Sequence, residues 1–113
     1  MIVLKSPREL AHMRAAGHIL ADVKDRLRAM VRAGLTTKDI DADVEAFIVS
    51  KGAKSAFKGY RGFPASICPS VNEEVVHGTP GPRALEEGDI VGIDVGAELR
   101  GWFGDAAWTF AVG

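Results

Sequence analysis

The sequence lacks paired cysteines and long apolar runs, and each absence excludes a class of protein. Cys68 is the only cysteine, so an internal disulfide is impossible and a reducing compartment, the cytoplasm, is expected. No stretch approaches the roughly 18 consecutive apolar residues that a membrane-spanning helix needs, which excludes an integral membrane protein. Lys5 and Pro7 interrupt the apolar start of the chain, unlike the core of a secretory signal peptide.

The sequence also lacks an excess of charge of either sign. Its 14 basic and 15 acidic side chains give a net charge of -1, which provides no basic surface for nucleic acid or for an anionic membrane. A small molecule or a peptide is the expected partner. The length of 113 residues, with 47% hydrophobic and 26% charged residues, is typical of one globular domain, which we predict to span residues 1–113.

The first half of the sequence predicts two helices. Ser6 followed by Glu9 is a capping box that marks a helix start, and Gly34 marks its end. Between these signals one apolar stripe recurs at spacings of three and four residues: Leu10, Met13, Gly17, Leu20, Val23, Leu27 and Met30. Thr36 begins a second capping box, which marks the start of the second helix. A shorter apolar stripe follows it and ends before Gly52.

The second half changes to glycine, proline and aromatic residues, which predict loops and strands. Residues 59–64 are expected to form a shaped loop, and short strands are expected at 65–71 and 74–76. Residues 89–112 predict two long strands joined near 99–101. Helices followed by strands indicate an α+β fold, with two helices packed on one face of an antiparallel sheet.

Two aspartates on the predicted long strands are candidate metal ligands. A turn centred between Leu99 and Arg100 would set Asp94 directly opposite Asp105, and two carboxylates so close repel unless a proton or a cation lies between them. A three-residue loop ending at Gly101 would instead send them to opposite faces, unless a bulge restored them to one face. Equally, one aspartate would cap a turn and the other would be solvated. Glycines, which in strands often mark the close approach of another group, surround the pair: Gly92, Gly96, Gly101 and Gly104.

Four further residues are candidates for contact with a substrate. His77 lies between two valines and a rigid turn, where a fixed imidazole would donate a hydrogen bond to a substrate or, equally, would be satisfied by a turn carbonyl. Tyr60, Phe63 and Cys68 would line an apolar pocket or would belong to the core. A nucleophilic Cys68 is not expected, because nothing nearby would activate the thiol.

The sequence resembles the type I methionine aminopeptidases over essentially its whole length. The resemblance is carried by GYRGFP at 59–64, SVNEEVVHG at 70–78, GDIVGID at 88–94 and GWFGDAA at 101–107. It implies a pita-bread fold, in which two similar α/β halves surround a pseudo-twofold axis, and this chain would be the N-terminal half. It also implies removal of the initiator methionine with two divalent metal ions, which would be manganese, iron, cobalt or zinc.

The resemblance assigns roles to the candidate residues. Asp94 and Asp105 match the first two metal ligands, with Asp105 bridging the metals, and His77 matches a histidine that contacts the substrate and stabilises the transition state. The positions that line the methionine pocket are matched by Tyr60, Phe63 and Cys68.

The sequence departs from the family pattern in two substitutions and in length. Phe63 replaces a common tyrosine and removes a hydroxyl, and Phe103 stands where many relatives carry histidine. The family places its remaining metal ligands and its general base in a second half, whereas this sequence ends at Gly113. Two carboxylates are fewer than the three or more protein ligands of a tight transition-metal site, so weak metal binding and weak or no activity are expected of this chain alone.

Two hypotheses of different class follow. In the first, the chain becomes an aminopeptidase for N-terminal methionyl peptides when a complementing C-terminal half is supplied. In the second, it is a non-catalytic structural or binding module that forms a homodimer through an apolar face, because monomers rarely expose more than a few hundred Å² of contiguous apolar surface.

Overall fold

The structure, a computed structural model, describes residues 6–58, 65–72 and 80–113. Its elements, in chain order, are α1 (Pro7–Met30), α2 (Thr37–Ser50), β1 (Lys54–Ser55), β2 (Ile67–Val71), β3 (Ile90–Leu99) and β4 (Trp102–Ala111). The helices pack against one antiparallel four-stranded sheet, which confirms the predicted α+β class. Strand β1 was not predicted, and the strand predicted over 74–76 lies outside the described residues.

Both helices begin where their capping boxes predict. The Ser6 hydroxyl accepts a hydrogen bond from the Glu9 backbone N–H at 3.2 Å, and the Glu9 carboxylate accepts one from the Ser6 N–H at 3.0 Å. Thr36 and Asp39 make the same reciprocal pair at 3.0 and 3.2 Å. Reciprocal bonds of this kind satisfy backbone donors that a helix start otherwise leaves unpaired. In the described part of the chain, neither helix combines the length and the apolarity needed to cross a bilayer.

The apolar stripe of α1 enters the core only in its later part. Leu10 and Met13 are 40% and 39% exposed, whereas Val23 and Leu27 are fully buried. Helix α2 contributes a second row of fully buried side chains one turn apart: Ile40, Val44 and Ile48. The core therefore lies between the later turns of α1, helix α2 and the sheet.

Strand β3 is the centre of the sheet. One edge pairs with β4 over ten residues, and the other edge pairs first with β2, over Val91 to Val95, and then with β1 at Ala97 and Glu98. Alternate side chains of β3 are fully buried toward the helices: Val91, Ile93, Val95 and Ala97. Because side chains alternate along a strand, the residues between them stand on the opposite face.

A two-residue loop joins β3 to β4. Leu99 pairs with Trp102, and the loop residues Arg100 and Gly101 both have positive φ angles, of 52° and 84°. Positive φ at both central positions defines the type I′ turn, whose twist matches that of paired strands. Glycine adopts this backbone readily, whereas an arginine there is unusual.

A group of side-chain hydrogen bonds joins the end of β2 to the start of β3. Asn72, with a φ of 55°, donates from its amide to Asp89 at 2.9 Å and accepts from the Ile90 N–H at 2.9 Å. The other Asp89 oxygen accepts from the Glu86 N–H at 2.8 Å. The hydrogen bond from Asn72, the one from the Glu86 backbone and the charge of Arg83 together hold the pKa of Asp89 below its usual value.

This contact predicts a pH-dependent stability. A lowered pKa in the folded state means that ionised Asp89 stabilises the fold above the ordinary carboxyl pKa and that this contribution is lost as the pH falls below about 4. Asp89→Asn is therefore expected to be less stable than the parent chain at pH 7 and to lose less stability on acidification. Urea unfolding at pH 7 and pH 3 measures both, with Asp25→Asn on the exposed side of α1 as the control. If the free energy of unfolding fell equally from pH 7 to pH 3 in Asp89→Asn and in the parent chain, the prediction would be contradicted.

Candidate metal centre

The β3–β4 hairpin brings Asp94 and Asp105 to the same face of the sheet. Asp94 pairs with Ala107, and Asp105 pairs with Gly96. The prediction that the two aspartates lie directly opposite each other is wrong, because the loop consists of Arg100 and Gly101 and shifts the register by two residues. A shift of two preserves the face, so the carboxylates are diagonal neighbours whose α-carbons are roughly 7–8 Å apart.

The carboxylates stand on the face that the helices leave uncovered. On β4 the even-numbered residues point toward α1, as Gly104 indicates, because a Cβ there would lie 3.0 Å from a Leu20 methyl carbon. Asp105 belongs to the odd-numbered set and is exposed, while Asp94 is half-buried on the central strand. The sheet therefore separates an apolar core on one side from the two carboxylates on the other.

Cys68 of β2 lies on the carboxylate face, directly opposite Asp94. Its side chain is buried, and burial followed by the negative charge of Asp94 raises the pKa of the thiol. A thiol with a raised pKa stays protonated at neutral pH, and the thiolate is the reactive form. A wall of the site therefore suits Cys68 better than a nucleophilic role.

An aromatic ring that the sequence did not single out covers the neighbouring glycine. A Cβ on Gly96 would lie 2.7 Å from a ring carbon of Phe57 and 3.1 Å from the Ala56 methyl. The Ala56 N–H also donates to the Gly96 carbonyl at 3.0 Å, which holds this segment against β3. Phe57 thus lies on the strand residue that pairs with Asp105. The glycine in the strand was the available signal, since it indicates close approach without naming the partner.

The donor set fits part of a metal site. Carboxylate oxygens suit hard and borderline divalent cations, and these two share one face. Over the ranges 6–58, 65–72 and 80–113, no cluster of three or more histidine, cysteine, aspartate or glutamate side chains could hold a metal ion. The candidate substrate residues Tyr60, Phe63 and His77 lie outside the described residues and stay predictions.

Comparisons with known proteins agree on one family. Residues 11–113 match metallopeptidase family M24. The chain is 53% identical over 113 residues to methionine aminopeptidase 1 of Bacillus subtilis, covering 100% of this chain and 46% of that protein.

Solved structures give the same result. The chain aligns over its whole length with the crystal structure of methionine aminopeptidase from Rickettsia prowazekii, with a TM-score of 0.95, 40% identity and 46% of that chain covered. For the enzyme from Thermotoga maritima the TM-score is 0.93, the identity 43%, and the coverage 100% of this chain and 46% of that one. These matches confirm the predicted half of a pita-bread fold. The chain spans a little under half the length of these relatives.

Proposed function

The chain belongs to metallopeptidase family M24, and on that premise we propose that it is the N-terminal half of a methionine aminopeptidase. The observation that carries the proposal is the placement of Asp94 and Asp105 as diagonal neighbours on the face of the sheet that the described helices leave uncovered. In a two-metal site, divalent ions activate a bound water and polarise the carbonyl that it attacks. This half would contribute two of the carboxylate ligands, and the remaining ligands would come from polypeptide outside residues 1–113.

The two carboxylates suit different parts of such a site. Asp94 lies on the strand that is paired on both edges, with Cys68 on one side and Ala107 on the other, so its backbone is held firmly. Asp105 lies on β4 and is exposed, so it can reach a ligand shared with another part of the protein. These positions support Asp105 as the bridging ligand and Asp94 as a ligand of one metal, with manganese, iron, cobalt and zinc as the candidate ions.

The substrate would be a peptide with an N-terminal methionine. Cys68 and Phe57 place apolar surface beside the carboxylates, which suits an unbranched, polarisable side chain next to a scissile bond. Tyr60 and Phe63 are proposed to extend this surface. His77 is proposed to donate a hydrogen bond to the reacting carbonyl.

Complementation tests the proposal. The chain is mixed with the C-terminal half of the Bacillus subtilis enzyme and manganese, and methionine release from a methionyl tripeptide is measured. We expect activity in the mixture well above the sum of the separate halves. The control is the same mixture with the metal removed by chelation. A mixture no more active than its parts would overturn the proposal.

A second candidate function is a non-catalytic module that pairs with a second copy of itself. Strand β4 favours it, because its register with β3 is unbroken over ten residues and no other strand of the described residues pairs with it. Asp105 is the only charged residue of β4, and open edges with few charges recruit further strands. Sedimentation of the chain alone separates the two candidates. A metal-free dimer would support the module, and a monomer over a wide concentration range would contradict it.

A further inference from the structure

Two acidic side chains of helix α2 bind the described residues that flank 59–64 in the sequence. Asp41 and Glu45 are one turn apart and therefore share a face of the helix. Glu45 accepts hydrogen bonds from the Lys58 ammonium at 2.8 and 3.0 Å, just before the segment. Just after it, one Asp41 oxygen accepts from the backbone N–H groups of Ser66 and Ile67 at 2.7 and 3.1 Å.

The Asp41 contact caps the start of β2 in a buried place. Ser66 and Ile67 are both fully buried, so water is a poor substitute for the carboxylate at their N–H groups. Among the described residues the Ser66 hydroxyl has no hydrogen-bond partner. Beside the pairing of Ile67 with Val95, the two backbone hydrogen bonds to Asp41 are therefore polar contacts that hold this end of the strand.

The start of β2 sets the register of the carboxylate face. Ile67 pairs with Val95, and the next pair is Cys68 with Asp94. A slip of one residue would carry Cys68 to the helix side of the sheet, because strand side chains alternate between faces.

We infer that Asp41 is a positioning residue: by fixing the start of β2 it keeps Cys68 beside Asp94. With Glu45 it also ties Lys58 and Ser66, which lie on either side of residues 59–64 in the sequence, to α2. Because Cys68 is the proposed wall of the substrate pocket, Asp41 would also help to place the substrate. That second role rests on the proposed function, whereas the role in fixing β2 does not. The hydrogen bonds of Asp41 go to backbone N–H groups, so it acts through the backbone of the strand.

The single thiol allows a direct test that needs no catalytic activity. Cys68 is the only cysteine and is buried, so its rate of reaction with a thiol reagent under native conditions reports how often this strand opens. In Asp41→Ala we expect the rate of the thiol reaction to rise, because buried hydrogen bonds are lost. The rise should exceed, by about tenfold or more, the increase in the global unfolding constant measured in urea. A rise no larger than global unfolding accounts for would overturn the inference.

A matched control lies two residues along the same helix. Asp43 pairs with Arg26 of α1, with a contact of 2.9 Å between Arg26 Nη2 and Asp43 Oδ1, and within the described residues it makes no hydrogen bond to β2. Asp43→Ala should therefore change the thiol rate only in proportion to global stability.

Should Asp41→Ala fail to fold, the conservative variant keeps the inference testable. Asp41→Asn retains an acceptor oxygen without the charge, so we expect an intermediate thiol rate and faster amide exchange at Ser66 and Ile67 than in Asp43→Asn. Equal amide exchange in the two variants would contradict a positioning role.

The same variant tests the link to catalysis. In the complemented enzyme, Asp41→Asn is expected to raise KM for a methionyl tripeptide several-fold with a smaller change in kcat. If KM and kcat were unchanged while the thiol of Cys68 reacted faster, the role in substrate placement would be overturned. Failure of the proposed function would look different, because the parent chain itself would then be inactive with the second half.

Discussion

Asp105→Asn is expected to lower kcat/KM of the complemented enzyme by at least about a hundredfold. Mutating a residue that only hydrogen-bonds to a metal ligand typically costs about 10- to 100-fold, and loss of a direct ligand should cost more. The variant keeps the size of the side chain and one oxygen, and it removes the negative charge that attracts a divalent ion. The measurement is methionine release over a manganese titration. A shift of the metal midpoint to higher concentration would accompany the loss.

The stability of Asp105→Asn should change little. Asp105 is exposed, and surface substitutions usually stay within about 0.5 kcal/mol. Removing one of two like charges on the same sheet face should slightly stabilise the metal-free hairpin. Asp25→Asn, which makes the same change of charge on exposed α1, is the control for activity. Full activity of Asp105→Asn with an unshifted manganese midpoint would rule out Asp105 as a ligand.

The parts of the fold that the sequence predicted are those governed by local contacts. The capping boxes at Ser6 and Thr36 use partners three residues away, so the sequence contains all of the information that sets the helix starts. The hairpin was predicted from strand pattern, but its register was wrong by two residues. The reason is Arg100, which takes a positive φ at a turn position usually held by asparagine, aspartate or glycine.

The features that the sequence did not predict depend on contacts between distant residues. Gly96 signalled a close approach, yet only the fold identifies Phe57 as the group that approaches. Asp41 carries no local signal of its contact, because its partners Ser66 and Ile67 follow 25 and 26 residues later. The prediction that the two aspartates share one face of the sheet is correct although the predicted register is wrong, because a shift of two residues preserves the alternation of side chains.

Ile93→Ala is expected to destabilise the chain by about 2–5 kcal/mol, the range for truncating a buried isoleucine. Ile93 is fully buried on the central strand, where it pairs with Pro69 on one side and Trp108 on the other. Because both edges of β3 are paired there, the neighbours can collapse only partly into the cavity. Urea unfolding at pH 7 measures the loss, and Ile93→Val should cost about 0.5–1.5 kcal/mol.

Ile90 provides a matched control on the same strand, since it is 53% exposed and Ile90→Ala should therefore cost far less than Ile93→Ala. A similar loss in both variants would contradict the assigned core. Ile93 directly precedes Asp94 but points to the other face, so Ile93→Ala should reduce stability while the folded fraction retains its activity in the complemented enzyme. Asp105→Asn should do the reverse. Opposite responses from side chains on the two faces of one hairpin would follow from the sheet acting as the boundary between the core and the proposed metal site.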